Sequence, residues 1–291
     1  MSIVTGMSEM LLTRALECIA EDTWNLLEYA HGHRSPLSED TITEINLLRL
    51  KSAQLPGMKI RRVPSRQEEA RTGIDWEWWI GTDGFGWLRY AVQAKKLYAD
   101  GRYRCLKHPV HGRQQMDILA DYSNIKNAIP LYCFYNFQLS RDGPKPNEQC
   151  GQCGIGCSKE QFGCTIVPLH VVREAAASFD AIHSSPCALP WRCLVRCPRI
   201  IRVITEAKLA RERGGDPQQP LDYDLPGIEL ENDSLGARKV WPFEIPEIFP
   251  TIPGEIAAIF SAEEDDSIGD IPLKWPVIPR RFLKLDLRGQ L

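Results

Sequence analysis

Apolar residues recur at helical spacing between Ser8 and Ala30, with Met10, Leu11, Ala15, Cys18, Ile19, Leu26 and Leu27 near one stripe. This pattern predicts an amphipathic helix with Ser8 as its N-cap, ended by the HGHRSP segment. A second helix is expected from Ser38, where SEDTITEINLLRLK supplies a cap, early acids and a closing Arg/Lys pair. Residues 58–64 (MKIRRVP) read as a first strand. Residues 73–80 (GIDWEWWI) and 87–94 (WLRYAVQA) are rich in aromatic and branched side chains, and the TDGFG cluster between them is hairpin punctuation. After a loop rich in Gly, His and Pro, RQQMDILADYSNIKNA has helical periodicity in Met116, Leu119, Ala120 and Ile125. The nearly unbroken apolar run at residues 129–137 (IPLYCFYNF) then reads as a central buried strand.

The pattern weakens beyond residue 138. Residues 140–164 crowd Cys150, Cys153, Cys157 and Cys164 among Gly and polar residues. TIVPLHVVREAAASFDAI predicts a strand or turn into a helix, and PRIIRVITEAKLARERGG a further helix ended by Gly214-Gly215. Residues 216–255 hold many prolines and several acids but are too apolar for a free linker, and read as loops wrapped on a core. SAEEDDSIGD, residues 261–270, reads as a solvated acidic loop. The expected division is a core over residues 1–138 and a Cys-rich, irregular remainder over 139–291 packed on it.

The hairpin also carries charge. Side chains alternate along a strand, so Asp75, Glu77 and Trp79 share one face, and Arg89, Ala91, Gln93 and Lys95 share a face of the next strand. Strands of this apolar character bury both faces, so Asp75 and Lys95 need each other, a metal or a substrate as partner. The turn decides whether the two faces coincide. A two-residue loop at Asp83-Gly84 sets Asp75 opposite Val92; an odd loop, of residues 83–85 or 82–86, sets it opposite Gln93. An acid beside Gln-x-Lys offers oxygen ligands for a hard cation and a fixed ammonium that can orient water and stabilise charge on a phosphate.

The order Glu69, Gly73-Ile74-Asp75, then Gln93-Ala94-Lys95 resembles the PD-(D/E)XK nuclease superfamily, in the variant where Gln replaces the second acid, as in Mrr-like enzymes. Here Ile74 stands where Pro often precedes the acid, and Gln93 is neutral. The helix, strand, hairpin, helix, strand order over residues 8–137 also matches a restriction-endonuclease-like core, an α/β fold with a mixed central sheet flanked by helices. The resemblance implies a Mg²⁺- or Mn²⁺-dependent nuclease. In it Asp75 is the metal-binding acid, Gln93 the second ligand, the Ala94 carbonyl a third contact and Lys95 the catalytic lysine. Glu69, and Glu44 from the preceding helix, are candidate further acids, against the plain reading of Glu44 as a solvated helical residue. It also implies a nucleic-acid partner, with DNA expected ahead of RNA although these residues read only the phosphodiester. Because a nuclease without a motor or target-recognition domain would be harmful if constantly active, a restriction or anti-phage role under control of a partner, ligand or homo-oligomer is expected.

Composition adds limits. With 43% hydrophobic and 25% charged residues the chain has no disorder bias, and no apolar run reaches membrane-helix length. A net charge of -3 requires any nucleic-acid contact to use a local basic face, such as Lys59, Arg61, Arg62, Arg66 and Arg71 before the hairpin and Lys95, Lys96, Arg102, Arg104 and Lys107 after it. No secretory signal is evident in MSIVTGMSEMLL, so a cytoplasmic protein with reduced or metal-bound cysteines is expected. Cys150-x2-Cys153 with Cys157 and Cys164 could form a structural Zn²⁺ site or remain unligated. A cluster using Cys18 is the third reading. A zinc-stabilised, catalytically inactive module gripping nucleic acid or protein is the competing function.

Overall fold

The computed structural model describes residues 2–63, 73–84, 86–106, 109–110, 112–137, 156–196, 248–261 and 279–288. The helices are α1 (Ser2–Gly32), α2 (Glu39–Ser52), α3 (Gln115–Lys126), α4 (Leu169–Glu174), α5 (Phe179–His183), α6 (Cys193–Arg196) and α7 (Gly254–Ser261). The strands are β1 (Met58–Arg62), β2 (Trp76–Thr82), β3 (Gly86–Lys96), β4 (Pro109–Val110), β5 (Arg113–Gln114), β6 (Ile129–Tyr135), β7 (Cys164–Pro168), β8 (Leu189–Pro190) and β9 (Arg281–Asp286). Seven strands form one sheet in the order β1-β9-β2-β3-β6-β7-β8, while β4 and β5 pair separately. The sheet is mixed: β9/β2 and β3/β6 run parallel, the other neighbours antiparallel. The protein is therefore an α/β fold with helices on both faces of a mixed sheet.

Every residue of β2 and β3 is buried, as their aromatic and branched composition requires of strands covered on both sides. On one face, α1 and α2 pack with Leu12, Leu16, Ile19, Ile42 and Leu50 in the main core. Thr43 Oγ1 lies 2.8 Å from the Tyr135 hydroxyl there, and Cys164 Sγ lies 3.5 Å from Thr23 Oγ1. On the other face α3 contributes Met116, Leu119 and Tyr122, and α7 closes a second cluster with Ile256, Ile259 and Phe260 around Trp79, Trp87 and Phe282. The backbone of α1 approaches the 3-10 turn Lys159–Gly163 so closely that a Cβ at Gly163 would stand 2.0 Å from the Ala20 carbonyl oxygen.

Three elements differ from the sequence reading. Helix α1 begins at Ser2, not at a cap on Ser8, and β1 stops at Arg62. Strand β9 has no counterpart in that reading, yet it lies between β1 and β2, so the first strand and the hairpin are not neighbours. With β7, β8 and β9 all drawn from beyond residue 138, a boundary there cuts through the sheet. The helix expected at residues 198–215 and the acidic loop at 262–270 lie outside the described residues. Lys95 and Lys96, expected on an open basic face, are buried, whereas Lys59, Arg62, Arg102 and Arg104 are exposed.

His183 supports the edge of the sheet. Its Nδ1 donates to the Phe179 carbonyl at 2.9 Å, leaving Nε2 to accept from Asn136 Nδ2 at 3.3 Å. Burial pushes its pKa down to about 4. The unfolded chain takes up this proton near pH 6.5 and the folded chain only near 4, so stability falls as pH drops through that window, by about 3 kcal/mol in all. Urea denaturation from pH 7 to 4 is expected to show this loss, and His183→Gln to remove its share.

Candidate active site

The turn between β2 and β3 holds three residues, 83–85, because the ladder runs from Trp76↔Val92 to Thr82↔Gly86. This is the odd case. The ladder ends at Trp76↔Val92, and Asp75, in the bend just before β2, donates its own N–H to that same Val92 carbonyl at 2.9 Å, a bulge that takes its backbone one residue out of the ladder's register. Asp83 Oδ1 accepts the Trp87 indole N–H at 3.0 Å, tying the turn to β3. By alternation, Glu77, Arg89, Gln93 and Lys95 then share one face of the hairpin, and Asp75 meets it through its side-chain bond to Gln93.

Asp75 is the centre of the group. Its Oδ2 accepts the Ala94 backbone N–H at 2.5 Å and Gln93 Nε2 at 2.6 Å. The same Gln93 nitrogen lies 3.3 Å from the Ala94 carbonyl oxygen, and Gln93 Oε1 accepts Gln115 Nε2 at 2.7 Å. So Asp75, Gln93 and Ala94, the three expected oxygen donors, converge within hydrogen-bond distance. Lys95 pairs with Glu39: its Nζ is 3.8 Å from Glu39 Oε2, while Glu39 Oε1 accepts the Lys96 backbone N–H at 3.1 Å. Glu39 begins α2, whose N-cap Ser38 accepts the Thr41 N–H, so a capped helix start fixes this acid beside the lysine.

Glu44 is placed differently from expectation. Its Oε1 accepts Arg281 Nε at 2.9 Å and lies 3.5 Å from Arg62, so it serves two guanidiniums. Arg281 also donates to Asp40 at 3.1 Å and to the Asp75 backbone carbonyl at 3.3 Å, joining β9 and α2 behind the acid. Glu39, Gln115 and Arg281 escape the sequence reading. An acid in the first turn of a capped helix looks like ordinary dipole compensation, and neither Gln115 nor Arg281 belongs to a recognisable spacing. Glu69 lies outside the described residues.

A family model described as a family of unknown function, DUF6615, matches residues 12–263. The chain belongs to the DUF6615 family. No curated protein and no solved structure matches it. In this DUF6615 chain the match covers α2, the hairpin and α3, and so every group around Asp75 except Arg281.

The neighbouring charges on the same face form a closed structural network. Glu77 Oε1 accepts Arg89 Nη2 at 2.5 Å and the Tyr122 hydroxyl at 2.5 Å, its Oε2 accepts the Trp79 indole at 3.2 Å, and Arg89 Nη1 donates to the Lys126 carbonyl at 3.2 Å. Burial, then the charge of Glu77, pushes the Tyr122 hydroxyl well up, so it stays a donor. Tyr132, across from Gln93 on β6, is also wholly buried, and burial raises its hydroxyl, with the charge of Asp75 adding to the effect.

The four cysteines expected in one metal-binding loop divide. Cys150 and Cys153 lie outside the described residues, and Cys157 is half-buried. Cys164 opens β7, where Asn46 Nδ2 donates to its sulfur at 3.5 Å, and burial pushes its thiol up to about 12 although Thr23 works against the shift. Packed under α1 and α2, this thiol fills space in the core as a small apolar side chain. Among the described residues no three His, Cys, Asp or Glu side chains gather to hold a metal, and no helix is long and apolar enough to cross a membrane.

Proposed function

We propose that this chain is a metal-dependent nuclease that hydrolyses phosphodiester bonds, built on a restriction-endonuclease-like core. The observation that carries the reading is the 2.6 Å bond from Gln93 Nε2 to the Asp75 carboxylate, with Lys95 on the same face of β3 as Gln93. The Asp75 carboxylate, the Ala94 carbonyl and the Gln93 amide fit a hard cation because all three can offer oxygen and all reach one another through a single nitrogen, Gln93 Nε2. Bound there, Mg²⁺ or Mn²⁺ supplies Lewis acidity toward a phosphoryl oxygen. Lys95, held by Glu39, places a fixed ammonium where it orients the attacking water and offsets charge developing on the phosphate. Exposed Arg62, Arg102 and Arg104 provide sequence-independent contacts for a nucleic-acid backbone. Restriction or anti-phage defence is the setting that best suits such an activity.

The test is a cleavage assay with supercoiled DNA, linear duplex, single-stranded DNA and RNA, each with Mg²⁺, Mn²⁺ or EDTA. Cleavage that EDTA stops and added Mg²⁺ restores is expected. Binding of any of these substrates without cleavage under every ion would favour an inactive binding module instead.

A further inference from the structure

The amide of Gln93 has its nitrogen, not its oxygen, toward Asp75. Nε2 donates to Asp75 Oδ2 at 2.6 Å and approaches the Ala94 carbonyl at 3.3 Å, while Oε1 accepts from Gln115 Nε2 at 2.7 Å. A carboxylate and a carbonyl offer only lone pairs, so an amide wedged between them must present N–H. A cation on the same two oxygens makes the opposite demand, since it needs the amide oxygen. Turning the amide over then directs Gln93 Nε2 at Gln115 Nε2, donor against donor. Gln115 must turn as well, so that its own oxygen accepts.

On the reading of Asp75, Gln93 and Ala94 as a cation site, we infer that Gln115 is a positioning residue whose amide reverses in concert with that of Gln93 and sets the affinity of the site for a divalent ion. The pair is built for this. Gln93 is only 4% exposed, so bulk water cannot replace the lost partner, and Gln115 is half-buried at the first turn of α3. Amides are the side chains suited to such a reversal, because each exchanges donor for acceptor by a half-turn with almost no change of shape. A carboxylate at position 93 would have no such dependence, being an acceptor in both orientations. The neutral second ligand thereby makes the metal site answer to a residue on another element.

Calorimetric titration of the whole chain with Mn²⁺ alone tests this through a double-mutant cycle. Gln115→Glu supplies an acceptor only, favouring the orientation with the Gln93 oxygen inward, and an acid in the first turn of α3 suits the helix. It is expected to tighten Mn²⁺ binding about ten-fold when Gln93 is present. With Gln93→Glu already in place, that gain is expected to vanish. An equal gain in both backgrounds would reduce the effect to added negative charge and overturn the coupling, leaving the cation site intact. Absence of Mn²⁺ binding by both wild type and Gln93→Glu would remove the cation site and the inference with it. Side-chain amide NMR gives a second readout: Mg²⁺ should move the signals of Gln93 and Gln115 together, and movement of the Gln93 signals alone contradicts the inference.

Discussion

Lys95→Ala is expected to lower metal-dependent cleavage about a thousand-fold or to below detection, a loss of the size seen when a group that stabilises transition-state charge is removed. The fold should survive. Lys95 lies at the end of β3 and its partner Glu39 keeps a bond to the Lys96 N–H and 29% of its side-chain surface in water. Urea midpoints of the variant and the wild type should therefore lie close together, and Mn²⁺ affinity should not weaken, since Asp75, Gln93 and Ala94 are untouched. Lys95→Met separates charge from packing, because it retains an unbranched apolar stem without the ammonium. Undiminished cleavage by both variants would remove Lys95 from the chemistry and overturn the assignment of the active site around Asp75.

The largest stability effect is expected at Glu77. It is 0% exposed and accepts from Arg89, Tyr122 and Trp79, so Glu77→Ala strands a buried guanidinium. Removal of one member of such a pair costs about 3 to 5 kcal/mol. Arg89 would keep its bond to the Lys126 carbonyl, which is insufficient to neutralise it. Combining Glu77→Leu with Arg89→Met should recover much of the loss, since an apolar pair of similar volume leaves no charge behind. Urea denaturation of the single and double variants distinguishes these cases. A cost below about 1 kcal/mol for Glu77→Ala would show that the network is far better hydrated than its burial indicates.

The local elements were legible where periodicity is strong. Ser38 caps α2 as its sequence foretells, α3 falls where expected, the hairpin forms with its first strand starting at Trp76 rather than Gly73, and residues 129–135 form a buried strand. The parity of the turn was not legible, because TDGFG accommodates loops of two, three or five residues and only the assembled ladder selects one. Glu77 and Arg89 could be placed on shared faces by alternation, but their bond depends on that same parity. The choice between Glu39 and Glu44 depends on Arg281, which reaches α2 from 237 positions beyond Glu44. No window along the chain contains that information. Strand β9 was hidden for the same reason: RFLKLD is six residues long, and its partners lie some two hundred positions earlier.

That late strand orders events during synthesis. Among the described residues β1 pairs only with β9, and the open edge of β2 is likewise filled by β9. Until residue 281 has left the ribosome, β1 has no ladder, Glu44 and Asp40 face no guanidinium, and the backbone behind Asp75 lacks its Arg281 donor. A nascent chain can form α1, α2 and the hairpin, but it cannot close the sheet around them. A product truncated before Arg281 would display two unpaired edges and invite association with other chains, whereas a chain that carries β9 seals them.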